Sequence, residues 1–162
     1  MAASRGFLYA DDVDAIIELV QALPARPVVV VDIGAGAGTT ALAVLETRPI
    51  DITVFTIDIN HENLDWARAA LYNANLLANW VPVYRPSAHC FLDRVDLLLV
   101  DGDHTFEGVE ADLTAWLPVV RWNAPVWLDD HFDEYPGVAL AVARAPLIVE
   151  RQLTKSVVCR RA

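Results

Sequence analysis

The 162-residue chain is 55% hydrophobic and carries 22 acidic against 12 basic residues, a formal charge of −10 at neutral pH. Its length fits one domain, residues 1–162, with room for a sizeable core. Lys155 is the only lysine and Arg160-Arg161 the only basic cluster, so a phosphate backbone is repelled and nucleic acid is disfavoured as a partner.

No apolar run reaches the length of a membrane span, and Met1 to Arg5 lack the basic-then-apolar pattern of a secretion signal. With only Cys90 and Cys159, the expected compartment is a reducing cytoplasm. The acidic balance suits a neutral or cationic small molecule, or simply keeps an apolar protein in solution.

In chain order, Asp11 is placed to cap a helix striped by Val13, Ile16, Ile17, Val20 and Leu23 and ended by Pro24 and Pro27. Val28 to Val31 form an unbroken β-branched run that continues through Asp32 to Ile33, the pattern of a strand covered on both faces. A glycine-rich loop follows, then a helix over Thr40 to Glu46 closed by Pro49. Ile52 to Ile57 make a second strand; Leu64, Ala67, Leu71 and Ala74 stripe the next helix; Trp80 to Tyr84 are a short third strand before the turn Pro86 to His89. Val95 to Val100 form a fourth buried strand, and Val109, Leu113, Trp116, Leu117 and Val120 stripe the helix after it. Ala124 to Leu128 are the fifth strand and Pro136 to Ala143 the last helix. Leu147 to Glu150 and Ser156 to Cys159 read as a hairpin. This alternation predicts an α/β doubly wound, mostly parallel seven-stranded sheet with an antiparallel C-terminal hairpin, and ligands outside the carboxyl ends of its strands.

The loop Gly34-Ala35-Gly36-Ala37-Gly38 lets backbone amides approach a nucleotide-like cofactor closely. Its G-x-G-x-G spacing differs from the G-x-G-x-x-G of pyrophosphate-binding dinucleotide folds, and Asp32 stands just before it. The arrangement resembles motif I of the class I S-adenosylmethionine-dependent methyltransferases, whose fold carries the same terminal hairpin. Asp58, followed by Ile59, ends the second strand where a carboxylate grips the cofactor ribose; capping of the helix after it is the competing role.

Two further strand ends hold acids, Asp101-Gly102-Asp103-His104 and Asp129-Asp130-His131, and a parallel sheet opens both onto the crevice of the glycine loop. Like charges at such density call for a divalent cation, and all-oxygen ligands favour magnesium, calcium or manganese over zinc. Val100 to His104 and Leu128 to Asp130 resemble the metal-ligand segments of divalent-cation-dependent O-methyltransferases, the catechol and caffeoyl-coenzyme A group. The string Asp101 to Val109 with Ala111 to Leu113 also resembles a broad bacterial methyltransferase domain family, some of whose members modify natural-product sugars. The resemblance implies S-adenosylmethionine as cofactor and a metal, magnesium first, on Asp101, Asp129 and Asp130. Asp32, Gly34, Ala35, Gly36 and Gly38 would hold the methionine part of the cofactor, Asp58 and Ile59 the ribose, and Ser87 and Ala88 the adenine edge. Asp101 would serve cofactor, metal and catalysis together, on a small-molecule hydroxyl.

The chain departs from that pattern in three places. His104 stands where a lysine is usual, and is a candidate general base or, equally, a helix-start residue. Arg121 to Pro125 replace a glycine pair before the fifth strand, which alters a distal turn. Little chain precedes the first helix, so the acceptor site is expected to be open or shared between subunits of a homodimer; Phe7, Tyr9, Phe132 and Tyr135 are candidates for its wall or for packing. Cys90 and Cys159 read as structural. Competing readings are a metal-independent methyltransferase, a non-catalytic cofactor-binding subunit needing a partner, and, against the glycine spacing, an NAD-dependent oxidoreductase.

Overall fold

The computed structural model describes residues 8–162. Its elements alternate as α1 (Ala10–Gln21), β1 (Val28–Ile33), α2 (Thr39–Thr47), β2 (Ile52–Asp58), α3 (His61–Asn73), a 3₁₀ turn (Leu77–Asn79), β3 (Trp80–Tyr84), β4 (Leu97–Val100), α4 (Phe106–Trp116), β5 (Pro125–Leu128), α5 (Pro136–Arg144), β6 (Leu147–Gln152) and β7 (Val157–Arg161). They build a seven-stranded sheet of order β3-β2-β1-β4-β5-β7-β6. β1 to β5 run parallel, and β7 is antiparallel to both β5 and β6. This is the Rossmann-like methyltransferase fold that the strand and helix pattern predicts.

Period-2 alternation sends successive strand residues to opposite faces. Val28 and Val30 of β1, with Val54, Leu97 and Leu99, bury against Ile16, Val20, Val44 and Leu71 of α1, α2 and α3. Val31 and Ile33, with Leu98, Val100 and Leu128, bury against Val109, Leu113 and Trp116 of α4 and Val138 and Val142 of α5. Helices on both faces explain why the parallel strands carry no polar side until their carboxyl ends. Among the described residues no helix is long and apolar enough to cross a membrane.

Two expectations are corrected locally. Asp11 lies inside α1, which starts after Tyr9; Asp12 reaches back to the Tyr9 amide (2.9 Å) and performs the capping, since a residue at the third helical position is the one that can fold back on the entry amide. Asp11 instead takes the Thr154 amide and hydroxyl at 2.9 and 2.7 Å, tying α1 to the β6–β7 loop. The fourth strand begins at Leu97, and Val95 makes only an isolated bridge to Val120. Asp96 turns a buried carboxylate to the Val29 amide (2.9 Å) and Arg26 (2.6 Å); burial pushes its pKa up, but Arg26 and Val29 outweigh that and hold it below the usual carboxylate range. That ion cluster caps the amino ends of the strands, opposite the glycine loop.

Candidate active site

The carboxyl ends of β1, β2, β4 and β5 meet at the point where strand order reverses, between β1 and β4. Backbone ladders continue one rung past the strands: Gly34 N–H donates to Ile57 O (2.9 Å), Asp101 N–H to Ile33 O (2.8 Å) and Asp129 N–H to Val100 O (2.9 Å). The acids at these ends are therefore fixed by the sheet itself. Gly34 has φ +93° and approaches the next strand end so closely that a Cβ would stand 1.9 Å from the Asp101 carbonyl oxygen. Gly36 is the opposite case: at φ +47° its Cβ would meet no atom within 4 Å, so the middle of the loop faces open space.

Asp58 lies against this loop. Its Oδ2 accepts from the Ala35 amide (2.9 Å) and from Asn63 Nδ2 (3.0 Å), and its Oδ1 from the Asn60 amide (2.7 Å). Asn60, not Asp58, caps α3, accepting from the Glu62 amide at 3.0 Å. Ile59 is 70% exposed beside it, and Tyr84 at the end of β3 makes an edge contact with His61. Asp32 is fully buried, with Oδ2 accepting from Thr56 Oγ1 at 3.0 Å; Thr56 in turn accepts from Trp80 Nε1 at 2.8 Å. Its Oδ1 has no partner among the described residues, and burial, with Asp58 nearby, pushes the carboxyl up to about 7 against the pull of Thr56. The open space at Gly36 is where a cofactor fits against the loop backbone, whereas the orphaned Asp32 oxygen in β1 is enclosed by protein.

Ser87 and Ala88 occupy the turn after β3, and α4 holds that turn. Trp116 Nε1 donates to Ser87 O at 2.6 Å. Burial raises the Asp112 carboxyl, opposed by a hydrogen bond from the Ser87 side chain. Sequence reading missed both supports, because each looks like part of the apolar stripe or solvated face of a helix.

On the other side of the crevice, Asp101, His104 and Asp130 each offer one potential ligand atom, all within 4.8 Å of one another: a candidate Asp/His/Asp metal-chelating triad. His104 Nδ1 stands 3.0 Å from Asp130 Oδ2. Asp129, expected beside them, turns to Lys155, whose Nζ is 2.9 Å from Asp129 Oδ2 and 3.4 Å from Asp130 Oδ1. Asp129 Oδ1 is buried without a partner among the described residues. Burial raises the Asp101 carboxyl well above its usual range, Asp129 and Asp130 adding to the effect and Lys155 opposing it. Asp129 is raised by burial against the pull of Lys155. Burial pushes Lys155 down, but the surrounding carboxylates outweigh it and hold the ammonium in its charged form. Three carboxylates thus face one ammonium, a set that a divalent cation would neutralise; oxygen and imidazole donors at this separation fit such an ion.

In the sequence Lys155 stands out only as a solitary lysine, yet a signal for its place exists. β7 runs antiparallel to β5 with Leu128 opposite Val157, so residues just before Val157 must fall beside those just after Leu128. Asp103 bonds the Thr105 amide (2.8 Å) and fills the space beside Gly108, which keeps it in the start of α4. Tyr135 makes a tilted ring contact with His104 (5.0 Å) and an edge-to-face contact with Phe132 (5.5 Å), and Lys155 lies over the Tyr9 ring (5.7 Å). Phe7 lies outside the described residues. His131 has a buried Nδ1 with no partner among the described residues, and its carbonyl accepts from Gln152. Cys90 and Cys159 are free thiols, and burial pushes Cys159 up to about 12.

A class I S-adenosylmethionine (SAM) methyltransferase fold with a candidate metal triad at its crevice is therefore what the chain builds. The sequence profile of a family described as a methyltransferase domain matches residues 29–131, and the chain belongs to that family. Among solved structures it is similar to TrmN from Thermus thermophilus (20% identity, TM-score 0.79), covering 99% of this chain and 51% of that one. It is also similar to a SAM-dependent O-methyltransferase from Thermotoga maritima (13%, TM-score 0.78, 100% and 68%). A SAM-dependent methyltransferase from Aquifex aeolicus gives 17% identity and a TM-score of 0.72, over 93% and 90% of the two chains. At these identities the likeness is one of fold, and the chain spans about half the length of the Thermus protein. No curated protein matches it.

Proposed function

We propose that the chain transfers a methyl group from S-adenosylmethionine to a hydroxyl of a small-molecule acceptor, assisted by a divalent cation at the acid cluster. The observation that carries this reading is the contact between the two halves of the site: Gly34 abuts the Asp101 carbonyl so tightly that no side chain fits between them. The glycine loop and the first acid of the cluster are thereby in backbone contact, which supports a reading in which cofactor and acceptor meet there.

Under this reading Asp32, Ala35 and the loop glycines hold the methionine part of the cofactor, Asp58 its ribose against Ile59, and Ser87 and Ala88 the adenine edge. When bound, S-adenosylmethionine supplies an electrophilic methyl and the cation lowers the pKa of a neighbouring hydroxyl. The chain's own contribution is positional. Methyl transfer is an in-line displacement, for which good orientation is worth ~7–11 kcal/mol, and acids whose backbone is tied into the sheet, with the Tyr135–Phe132 ring pair, would contribute to it. His104, beside Asp130, is placed either to take the acceptor proton or to bind the cation.

A metal-independent version of the same transfer is favoured by one observation: Lys155 already spans Asp129 and Asp130. Calorimetry should show S-adenosylhomocysteine binding at micromolar strength with no comparable NADH binding, and the reverse preference ends the methyltransferase reading. A methyl-transfer screen over catechols, flavonoids and sugar-bearing natural products, with and without a chelator, then separates the two versions. Turnover unaffected by chelation selects the metal-free one.

A further inference from the structure

We infer that His104 is a metal ligand taking the place that an all-carboxylate site would give to Asp129, and that the site therefore prefers manganese or cobalt to magnesium or calcium. The inference rests on the metal-assisted reading above and deepens it.

Three observations converge. First, ligand atoms sharing one small divalent ion at about 2.0–2.2 Å lie at most about 4.4 Å apart. The Asp101, His104 and Asp130 atoms, all within 4.8 Å, need to close by only a few tenths of an ångström. Second, Asp129 is committed elsewhere. Its Oδ2 is held at 2.9 Å by the ammonium of Lys155, and its other oxygen is enclosed by protein. To bind an ion beside Asp101 it would have to release Lys155, the cation that compensates it in a buried setting. Third, His104 is already oriented. Its Nδ1 points at Asp130 Oδ2 from 3.0 Å, and the Tyr135 ring lies 5.0 Å away at 43°. Thr105 caps α4 by accepting from the Gly108 amide (3.1 Å), which fixes the backbone next to His104.

The donor set then holds two carboxylates and one imidazole. Imidazole is a borderline donor that magnesium and calcium use poorly and first-row transition ions use well. Lys155 acts as a built-in charge on the far side of the cluster, sparing Asp129 from ligation and lowering the net charge left for the ion.

The test uses the full chain, metal-stripped, with Mn²⁺, Co²⁺ and Mg²⁺ as probes. Calorimetry should give at least tenfold tighter binding of Mn²⁺ or Co²⁺ than of Mg²⁺. Pulsed EPR of the Mn²⁺ form should show coupling to a directly bound ¹⁴N, lost in both His104→Ala and His104→Asn, with circular dichroism checking that each variant folds. Mn²⁺ binding without nitrogen coupling, and unchanged in either variant, overturns the inference while leaving a cation on carboxylates alone. Failure of all three ions to bind overturns both the inference and the metal-assisted reading, and leaves the metal-independent one.

Discussion

Alanine at two glycines of one loop should have opposite consequences. At Gly34 a methyl group would stand 1.9 Å from the Asp101 carbonyl oxygen and 2.6 Å from its carbon, both backbone atoms that cannot rotate aside. The residue also sits at φ +93°, outside the regions L-residues adopt freely, which alone costs of order 1–3 kcal/mol. Separating the ends of β1 and β4 adds to that, so Gly34→Ala should lose about 4 kcal/mol or more, the range of the most damaging single substitutions. For a chain of this size that is roughly 10 °C in Tm. At Gly36 the methyl group would meet nothing within 4 Å, and φ +47° is close to the left-handed region, where alanine costs about 1–2 kcal/mol. Part of this is offset by the lower entropy of the unfolded variant. Gly36→Ala should therefore fold, melt only a few degrees lower, and yet, under the proposed function, bind S-adenosylhomocysteine more than tenfold more weakly, because the methyl group would fill the space which that reading gives to the ligand. The assay is a thermal melt of both variants with calorimetry on Gly36→Ala. Wild-type affinity in Gly36→Ala would refute the assignment of this loop to the cofactor, and equal stability of the two variants would refute the steric argument.

Asp32 gives a pH prediction. Its folded-state pKa of about 7 lies above the ordinary carboxylate value, so between those limits the folded protein holds a proton that the unfolded chain releases. Its contribution to stability therefore falls as pH rises, by about 1.4 kcal/mol per pH unit between pH 5 and 7, and Asp32→Asn should remove that slope; parallel urea-denaturation profiles would contradict it. Lys155→Met leaves Asp129 buried and unpaired, which should cost about 3–5 kcal/mol near neutral pH and less at pH 5, where Asp129 more readily takes a proton. A loss below about 1 kcal/mol at pH 7.5 in the same assay would show that the pair is replaceable. Trp116→Phe removes the donor to Ser87 O and should cost about 1–3 kcal/mol while weakening S-adenosylhomocysteine binding through the loosened turn. Unchanged affinity would place that turn away from the adenine.

Strand and helix positions were legible in the chain because they follow from local periodicity. The Val28–Ile33 run, the apolar stripe of α4 and the Pro136 start of α5 each announce an element without reference to the rest. The glycine loop and the acids at four strand ends were legible too, since a parallel sheet forces those ends to one side. Asp101 and Asp130 therefore fell together as the pattern implied. What the sequence by itself could not decide is how each carboxylate is compensated. That depends on side-chain directions at loops from distant parts of the chain: the β6–β7 turn bringing Lys155 to Asp129, the positive φ of Asp130, and the α4 cap aiming His104 at Asp130. Local pattern fixes which residues stand at the rim of the sheet; only tertiary packing fixes which charge each one faces, because pairing is set by ångström-scale distances between segments that do not share a periodicity.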